Sequence, residues 1–461
     1  MNLKKATRQK SAIRERAGAK DGEAVRDPER GVAPLAAHGN GRSGMDHPMT
    51  LMERVVENSN VTEALKRVES NQGKPGVDGM TTRELRGWLR ENWVTVKEQL
   101  LTGTYQPKPV RRCMIPKSGG GRRQLGIPTV LDRFVQQAVL QVLVPIFDGG
   151  FSTHSYGFRP GRNALEAVKA AQQYVQAGRT FVVDIDLERF FDRVNHDMVM
   201  GRVAKKVTDK QVLGLLRRYL TAGMMVDGVV HRREEGTPQG GPLSPLLANV
   251  LLDDVDKMLE RNGHAFCRYA DDLNVYVHSQ KAGERVKARL EKKYAELHLR
   301  VNQQKSAVGR PWERKFLGYL LVENRHGTVK RAISPPALMR MKDRVREMTD
   351  RSLGRSMAQV AEELRPFLRG WRQYYGHAEV REPLHKLDGF VQRRLRVLLL
   401  KHWKHGPTVY RNLVKREVPH AVAARVAMHA KRMAWLTHQP IIYIAMPPKM
   451  FAHLRLPRLA V

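Results

Sequence analysis

The stretch FCRYADDLNVYV, residues 266 to 277, sets two adjacent carboxylates, Asp271 and Asp272, at the centre of a segment that otherwise reads as buried strand. Like charges in a poorly solvated place repel and resist ionisation unless something positive stands between them, and a divalent cation is the usual partner. On a regular strand consecutive side chains point to opposite faces, so both can serve one cation site only at a tight hairpin turn. The flanks allow a turn: Ala265 to Tyr269 leads in and Leu273 to Val277 leads out. An ordinary surface Asp-Asp turn is the alternative, but these strands are too apolar for a surface hairpin.

A second acidic strand lies upstream. In TFVVDIDLERFFDRVNH, Thr180 to His196, strand alternation puts Asp184 and Asp186 on one face and Val183 and Ile185 on the other. The two carboxylates either form a structural ion pair with Arg189 or Arg193 or belong to a cation site. Two Mg²⁺ ions held by Asp186 and Asp271, with Asp272 nearby, would suit in-line phosphoryl displacement, one activating a 3′-hydroxyl and the other steadying pyrophosphate. Hard oxygen ligands match magnesium, with Mn²⁺ an acceptable substitute, and no thiolate or clustered His set argues for zinc. The reaction class is nucleotidyl transfer.

Composition points to the substrate. The 461 residues carry 81 Lys and Arg against 46 Asp and Glu, a formal net charge of +35, so the expected partner is a polyanion. Cys113 and Cys267 lie in unrelated segments, which excludes a disulfide framework or a CxxC-type zinc site and fits a reducing cytoplasm. No uninterrupted apolar run approaches the ~18 residues of a membrane span, and no signal-peptide core opens the chain. Nucleic acid, not membrane, is the expected surface.

Four segments are expected. Residues 1–47 read as a basic, disordered tail. Residues 48–107 read as helical, with Leu51, Val55 and Val56, then Val61, Ala64, Leu65 and Val68, then Leu85 to Leu101 at helical spacing around the Gly/Pro/Asp turn NQGKPGVDG, 71 to 79. Residues 108–330 alternate short β-branched runs with helices, an α/β (α+β) pattern around a central sheet, and 331–461 read as helical and basic.

The ordered blocks IPKSGGGRRQLGIPT (115 to 129), SYGFRPGRN (155 to 163), VDIDLERFFDRVNH (183 to 196), GTPQGGPLSPLLANVLL (236 to 252), RYADDLNVYV (268 to 277), LHLRVNQQKS (297 to 306) and FLGYLL (316 to 321) closely resemble bacterial group II intron-encoded reverse transcriptases, over about 400 residues. The resemblance implies a right-hand polymerase with fingers and palm, 48–107 extending the fingers and 108–330 completing them with the palm, then a helical thumb and maturase domain X in 331–461. It implies that Asp186, Asp271 and Asp272 are the catalytic, metal-binding carboxylates. Lys117, Arg123, Gln239 and Lys305 match residues that hold the dNTP, Gly119 to Gly121 permit a turn closing over it, and Phe191 matches the steric gate that excludes a ribose 2′-hydroxyl. Glu188 departs from the pattern, standing where many relatives carry Lys or Ser; it is expected to face Arg189 or solvent.

Residues 331–461 hold 26 Lys and Arg against 9 Asp and Glu, the footprint of a long RNA surface. Within them LRPFLRGWRQYYGHAE (364 to 379) and HKLDGFVQRRLRVLLLKHWKHG (385 to 406) resemble the thumb and domain X. Leu384, Leu387, Val391, Leu395 and Leu398 would be a buried stripe, with Arg393, Arg394, Arg396 and Lys401 as candidate phosphate contacts. Trp371, Tyr374 and Tyr375 either stack on bases or belong to the core.

The expected function is reverse transcription of an RNA template from a DNA or RNA primer with dNTPs, together with binding of group II intron RNA in splicing and retrohoming into target DNA. The family's zinc-type endonuclease module is expected to be absent, since no cysteine follows Cys267. The alternatives are an RNA-binding splicing maturase with little polymerase use, or another bacterial reverse transcriptase such as a retron-type enzyme, which would lack the 364 to 406 segments. An RNA-dependent RNA polymerase is disfavoured by Phe191.

Overall fold

A computed structural model describes residues 49–460, apart from 117–120, 227–228, 232–234, 239 and 353. Lys117, Gln239, Gly119, Gly120 and the tail 1–47 therefore lie outside the described residues. In chain order come helices α1 (Leu51–Val55), α2 (Asn58–Asn71) and α3 (Leu85–Leu101), strands β1 (Val110–Pro116) and β2 (Arg122–Ile127), α4 (Val130–Asp148), α5 (Ala164–Gln176), β3 (Phe181–Ile185), α6 (His196–Ala204), α7 (Lys210–Thr221), β4 (Met224–Val226), β5 (Val229–His231) and α8 (Ser244–Arg261). Then follow β6 (Ala265–Tyr269), β7 (Asp272–Val277), α9 (Gln280–Glu296), β8 (Ala307–Gly309), β9 (Tyr319–Glu323), β10 (Val329–Ile333), α10 (Pro335–Met348), α11 (Met357–Tyr375), α12 (Glu382–Trp403), α13 (Gly406–Val414), α14 (His420–Met428), α15 (Met433–Leu436) and α16 (Pro440–Ala445).

The chain divides into two compact units, one formed by the described residues of Met1–Phe151 with Arg189–Leu252, the other by Ser152–Glu188 with Asp253–Val461. The first is built on α4. Its sequence is long and apolar enough to cross a bilayer, but 61% of that window is buried, as a core helix requires. Thr129 caps it, its hydroxyl accepting from the Asp132 amide at 3.0 Å, and buried Asp132 accepts from the Tyr105 hydroxyl at 2.8 Å. The NQGKPGVDG stretch lies against this N-terminus: Arg133 donates to the Lys74 carbonyl at 2.6 Å, and a Cβ on Gly76 would stand 2.5 Å from Thr129 Cα. Only glycine permits that approach. A four-stranded sheet, order β2-β1-β4-β5, completes this unit, with β1 and β2 antiparallel and β1 and β4 parallel.

The second unit centres on an antiparallel sheet of order β6-β7-β3-β8, with α5 and α9 against it. Its faces follow strand parity. Val182 and Tyr276 share a buried core with Ala167 and Ala171 of α5, while Val183 meets α9 at Gly283. The same core continues through the β9–β10 hairpin into α10, α11 and α12.

The stripe Leu384, Leu387, Val391, Leu395 and Leu398 is buried as expected. Trp371 is core as well, and Tyr374 and Tyr375 pack against it, Tyr374 donating to the Leu317 carbonyl at 2.7 Å. Their rings are structural in this fold.

Arg396 corrects an expectation. It is fully buried, donates through Nε to the Met446 carbonyl at 2.8 Å, and lies 4.4 Å from the Tyr443 ring, so it presents nothing to a phosphate. The reason is position: Arg396 follows Leu395 on the inward side of α12, where α16 covers it. Arg394 is largely spent within the unit, bonding Thr349 Oγ1 at 2.8 Å, and Arg393 meets His438 at 3.0 Å. Lys401 is exposed.

Leu395→Ala should lower stability by about 2–5 kcal/mol. Arg396→Met should be neutral or stabilising, because the buried guanidinium leaves Nη1 and Nη2 unsatisfied. Denaturant unfolding of the full chain measures both, and a large loss for Arg396→Met would contradict this packing.

Candidate active site

The acidic hairpin forms as the flanks require. Tyr269 pairs with Asp272, so Ala270 and Asp271 alone make the connection. Ala270 has φ +58 and Asp271 does not share that sign, the pattern of a type II′ turn, whose first central residue is ordinarily glycine. An alanine held there stores strain of about 1–2 kcal/mol.

Arg268 and the SYGFRPG segment hold the strained turn. Arg268, the residue before Tyr269, donates from Nη1 to the Ala270 carbonyl at 3.0 Å. Its Nε donates to both oxygens of Asp256 on α8, at 2.8 and 3.0 Å, and both side chains are 0% exposed. The SYGFRPG segment lies alongside: the Arg268 amide donates to the His154 carbonyl and the Tyr156 amide to the Arg268 carbonyl, each at 2.9 Å. A Cβ on Gly157 would stand 2.3 Å from the Ala270 nitrogen, so this glycine lets backbone meet backbone beneath the turn.

The neighbouring strand carries the other acids. β3 and β7 pair with Ile185 opposite Leu273 and Asp184 opposite Asn274. One residue further in that register brings Asp186 opposite Asp272, on the face that also bears Asp184, as strand alternation predicts. The cations that face these acids come from a later segment: Lys305 Nζ lies 3.4 Å from Asp186, and Arg314 3.9 Å from Asp184. The Asp186 backbone is held from both sides, its amide donating to Ser306 Oγ at 2.9 Å and its carbonyl accepting from the Asn302 amide at 2.8 Å. Glu188 donates its amide to the Arg300 carbonyl at 2.8 Å, and its side chain is partly exposed.

The donors are all carboxylate oxygen, which fits a hard divalent cation. Among the described residues no three His, Cys, Asp or Glu side chains are grouped closely enough to hold a metal ion as they stand. Asp186 faces Lys305 instead, which marks a carboxylate already held beside one positive charge.

Burial pushes the Asp184 carboxyl up to about 6; Arg314 opposes the rise and Asp186 adds to it. With Asn274 turned so that its amide nitrogen faces Asp184, that nitrogen donates to Oδ1 at 3.1 Å.

The remaining expected contacts lie in the first unit. Arg123 sits on β2, paired with Ile115, and its side chain is exposed. Phe191 is buried in a short 3₁₀ turn, its ring edge-on to Phe190 at 5.0 Å. The GTPQGG block is tied to it: the Thr237 amide donates to the Phe191 carbonyl at 2.7 Å and the Gly236 amide to the Val194 carbonyl at 2.8 Å. Two sequence blocks some forty residues apart thus form one local structure.

Sequence reasoning missed Asp256 and the part played by Arg268. Both left a signal: Asp256 falls beside Leu252, Val255 and Leu259 on the buried stripe of α8, and Arg268 interrupts an apolar strand.

Asp256→Asn should leave Arg268 a buried charge without a counter-ion, at a cost of about 3–5 kcal/mol, and reduce activity more than that loss of fold explains, measured at a temperature where the variant stays folded. An Asp256→Asn protein as stable and active as the parent would remove the clamp from this account. For Asp184, the folded pKa lies above the unfolded one, so ionisation favours unfolding and stability falls as pH rises from about 4 to about 6. Asp184→Asn should flatten that slope and raise the melting temperature at pH 8 relative to the parent; an unchanged difference between the two across this range would contradict the assignment.

Comparison with known proteins gives the chain its family. Residues 115–321 match the family model described as reverse transcriptase (RNA-dependent DNA polymerase), and residues 338–417 match that described as group II intron, maturase-specific domain. Protein YkfC of Escherichia coli is 32% identical over 320 residues, covering 60% of this chain and 83% of that protein. Group II intron-encoded protein LtrA of Lactococcus lactis subsp. cremoris is 33% identical over 234 residues, covering 47% of this chain and 39% of LtrA. Nuclear intron maturase 1, mitochondrial, of Arabidopsis thaliana is 37% identical over 93 residues, covering 20% of this chain and 13% of that protein. Reverse transcriptase and maturase domains in this order on one chain mean that the protein belongs to the group II intron reverse transcriptases/maturases, right-hand polymerases that depend on divalent metal and use RNA as template.

Proposed function

We propose that the chain copies RNA into DNA from a primer, with Asp186, Asp271 and Asp272 as the catalytic carboxylates, and that it binds group II intron RNA to assist splicing and retrohoming into target DNA. The observation that carries this reading is the clamped Ala270–Asp271 turn, which sets two carboxylates beside the end of β3. Stored backbone strain at an acidic turn, over-determined by a buried ion pair, is what a site that must hold its geometry requires.

Two Mg²⁺ ions at these carboxylates, or Mn²⁺ in their place, would supply activation of the primer 3′-hydroxyl and neutralise the departing pyrophosphate. The chain's own residues do the positioning. Arg268 and Gly157 keep the turn in register, Ser306 and Asn302 hold the Asp186 backbone, and Lys305 places a positive charge beside Asp186. Toward the dNTP, Lys117, Arg123 and Lys305 are assigned to the triphosphate, Gln239 to the nucleotide and Phe191 to exclusion of the 2′-hydroxyl, residue by residue from the family. Arg393, Arg394 and Lys401 are the candidate RNA contacts on α12, Lys401 the most accessible. A cytoplasmic setting accords with free Cys113 and Cys267.

Primer extension on poly(rA) primed with oligo(dT) tests this reading. The parent should use dTTP and little UTP, and Asp271→Ala with Asp272→Ala should lower the rate by on the order of 10³-fold without unfolding the chain. Phe191→Ala should raise UTP use relative to dTTP by about tenfold or more. A parent that makes no DNA yet binds folded intron RNA tightly would turn the assignment to a splicing maturase without polymerase use.

A further inference from the structure

At the opposite end of the β6–β7 hairpin from the acidic turn lies a cavity of about 400 Å³. Asp272 and Val277 stand at the two ends of β7, five steps apart, so at ~3.3 Å per step the cavity is about 17 Å from the carboxylates. Its rim is cationic: Arg179 after α5, Arg285 and Arg289 on α9, with His264 and His278 at the ends of the two strands. Its floor is apolar, formed by Ala265, Val277 and Val286. None of its lining residues is acidic.

Only part of the charge on α9 is paired, and of its cations without a carboxylate partner among the described residues, which include Lys281 and Lys292, it is Arg285 and Arg289 that line the cavity. Lys287 pairs with Glu291 at 3.6 Å and Lys293 with Glu296 at 2.9 Å. Arg285 and Arg289, four apart and lining the cavity, have no carboxylate partner among the described residues. Like charges at that spacing destabilise a helix. An unpaired arginine couple aimed at a concave, half-apolar site is the arrangement expected where an anion is to be bound. Burial and then Arg289 hold His264 below the usual imidazole range.

We infer that this cavity is a second nucleic-acid site, in which Arg179, Arg285 and Arg289 hold successive phosphates of bound RNA while the apolar floor receives a base. A volume of this size suits one nucleotide. The roughly 6 Å between side chains four apart on a helix is comparable with the step between neighbouring phosphates on an RNA strand, which favours a strand over a free nucleotide. The site goes beyond the polymerase reading, since none of these residues belongs to the acidic turn.

The test uses the full chain and a labelled transcript of several hundred nucleotides, with binding measured against salt concentration. Arg285→Glu with Arg289→Glu should weaken binding by about tenfold or more and lower the log–log salt slope by about two. Arg285→Lys with Arg289→Lys should retain most of both. Extension of a short, saturating template–primer should proceed at the parental rate in each variant, which separates failure at this site from failure of the catalytic reading. Titration with AMP distinguishes the phosphate sources: saturable AMP binding lost in the Glu variant, with transcript binding unchanged, would overturn the RNA assignment in favour of a free nucleotide. Transcript affinity and slope unchanged in the Glu variant, with no AMP binding to the parent, would overturn the site altogether.

Discussion

The buried Arg268–Asp256 pair is the constraint on which the candidate active site depends. Burying two charges carries a desolvation penalty that their attraction repays only with complete hydrogen bonding. Here the guanidinium spends its fork on Asp256 and its remaining arm on the Ala270 carbonyl. An apolar pair of similar volume could pack α8 against β6 as well, but it would offer nothing to that carbonyl. The ion pair is thus better explained by the turn than by stability. It ties a strained connection, one that alanine tolerates poorly, to the interior of the sheet.

Parity does the rest. Because Ile185 stands opposite Leu273, every acidic or amide side chain near the turn on β3 and β7 falls on one face: Asp184 with Asn274, and Asp186 one step beyond. A slip of one residue would put these groups on the face that meets α9 and expel the valines. On the α5 face Arg314 and Asn274 offset part of the cost of placing Asp184 there, while burial pushes its carboxyl up. Asp186 lies at the strand's end, where Lys305 reaches it.

Much of this was legible in the sequence. The α3 pattern and both strands of the YADD hairpin follow from local periodicity, and the leucine stripe of α12 from helical spacing. What periodicity cannot carry is which polar residue is turned inward. Arg396 reads as one more charge on a basic helix until α16 is seen to cover it, and the choice between stacking platform and core for Tyr374 and Tyr375 stays open until Leu317 and the core take them up. The α8 stripe marks Asp256 as buried but not what it serves, because its partner lies twelve residues away on another element. The chain also passes between its two units at 151, 188 and 252, crossings that composition does not mark. The local tie between Phe191 and Thr237 was announced only by the family's block order, since no short-range rule joins a 3₁₀ turn to a loop some forty residues on.

The central claim is that the end of β3 and the β6–β7 turn together bind divalent metal. Electron paramagnetic resonance of Mn²⁺ titrated into the full chain with template–primer and a non-reacting dTTP analogue addresses it without relying on turnover. The account predicts saturable Mn²⁺ binding to the parent that is lost in Asp186→Asn with Asp271→Asn, while both proteins keep the same melting temperature to within a few degrees. Equal Mn²⁺ binding by parent and variant would contradict it.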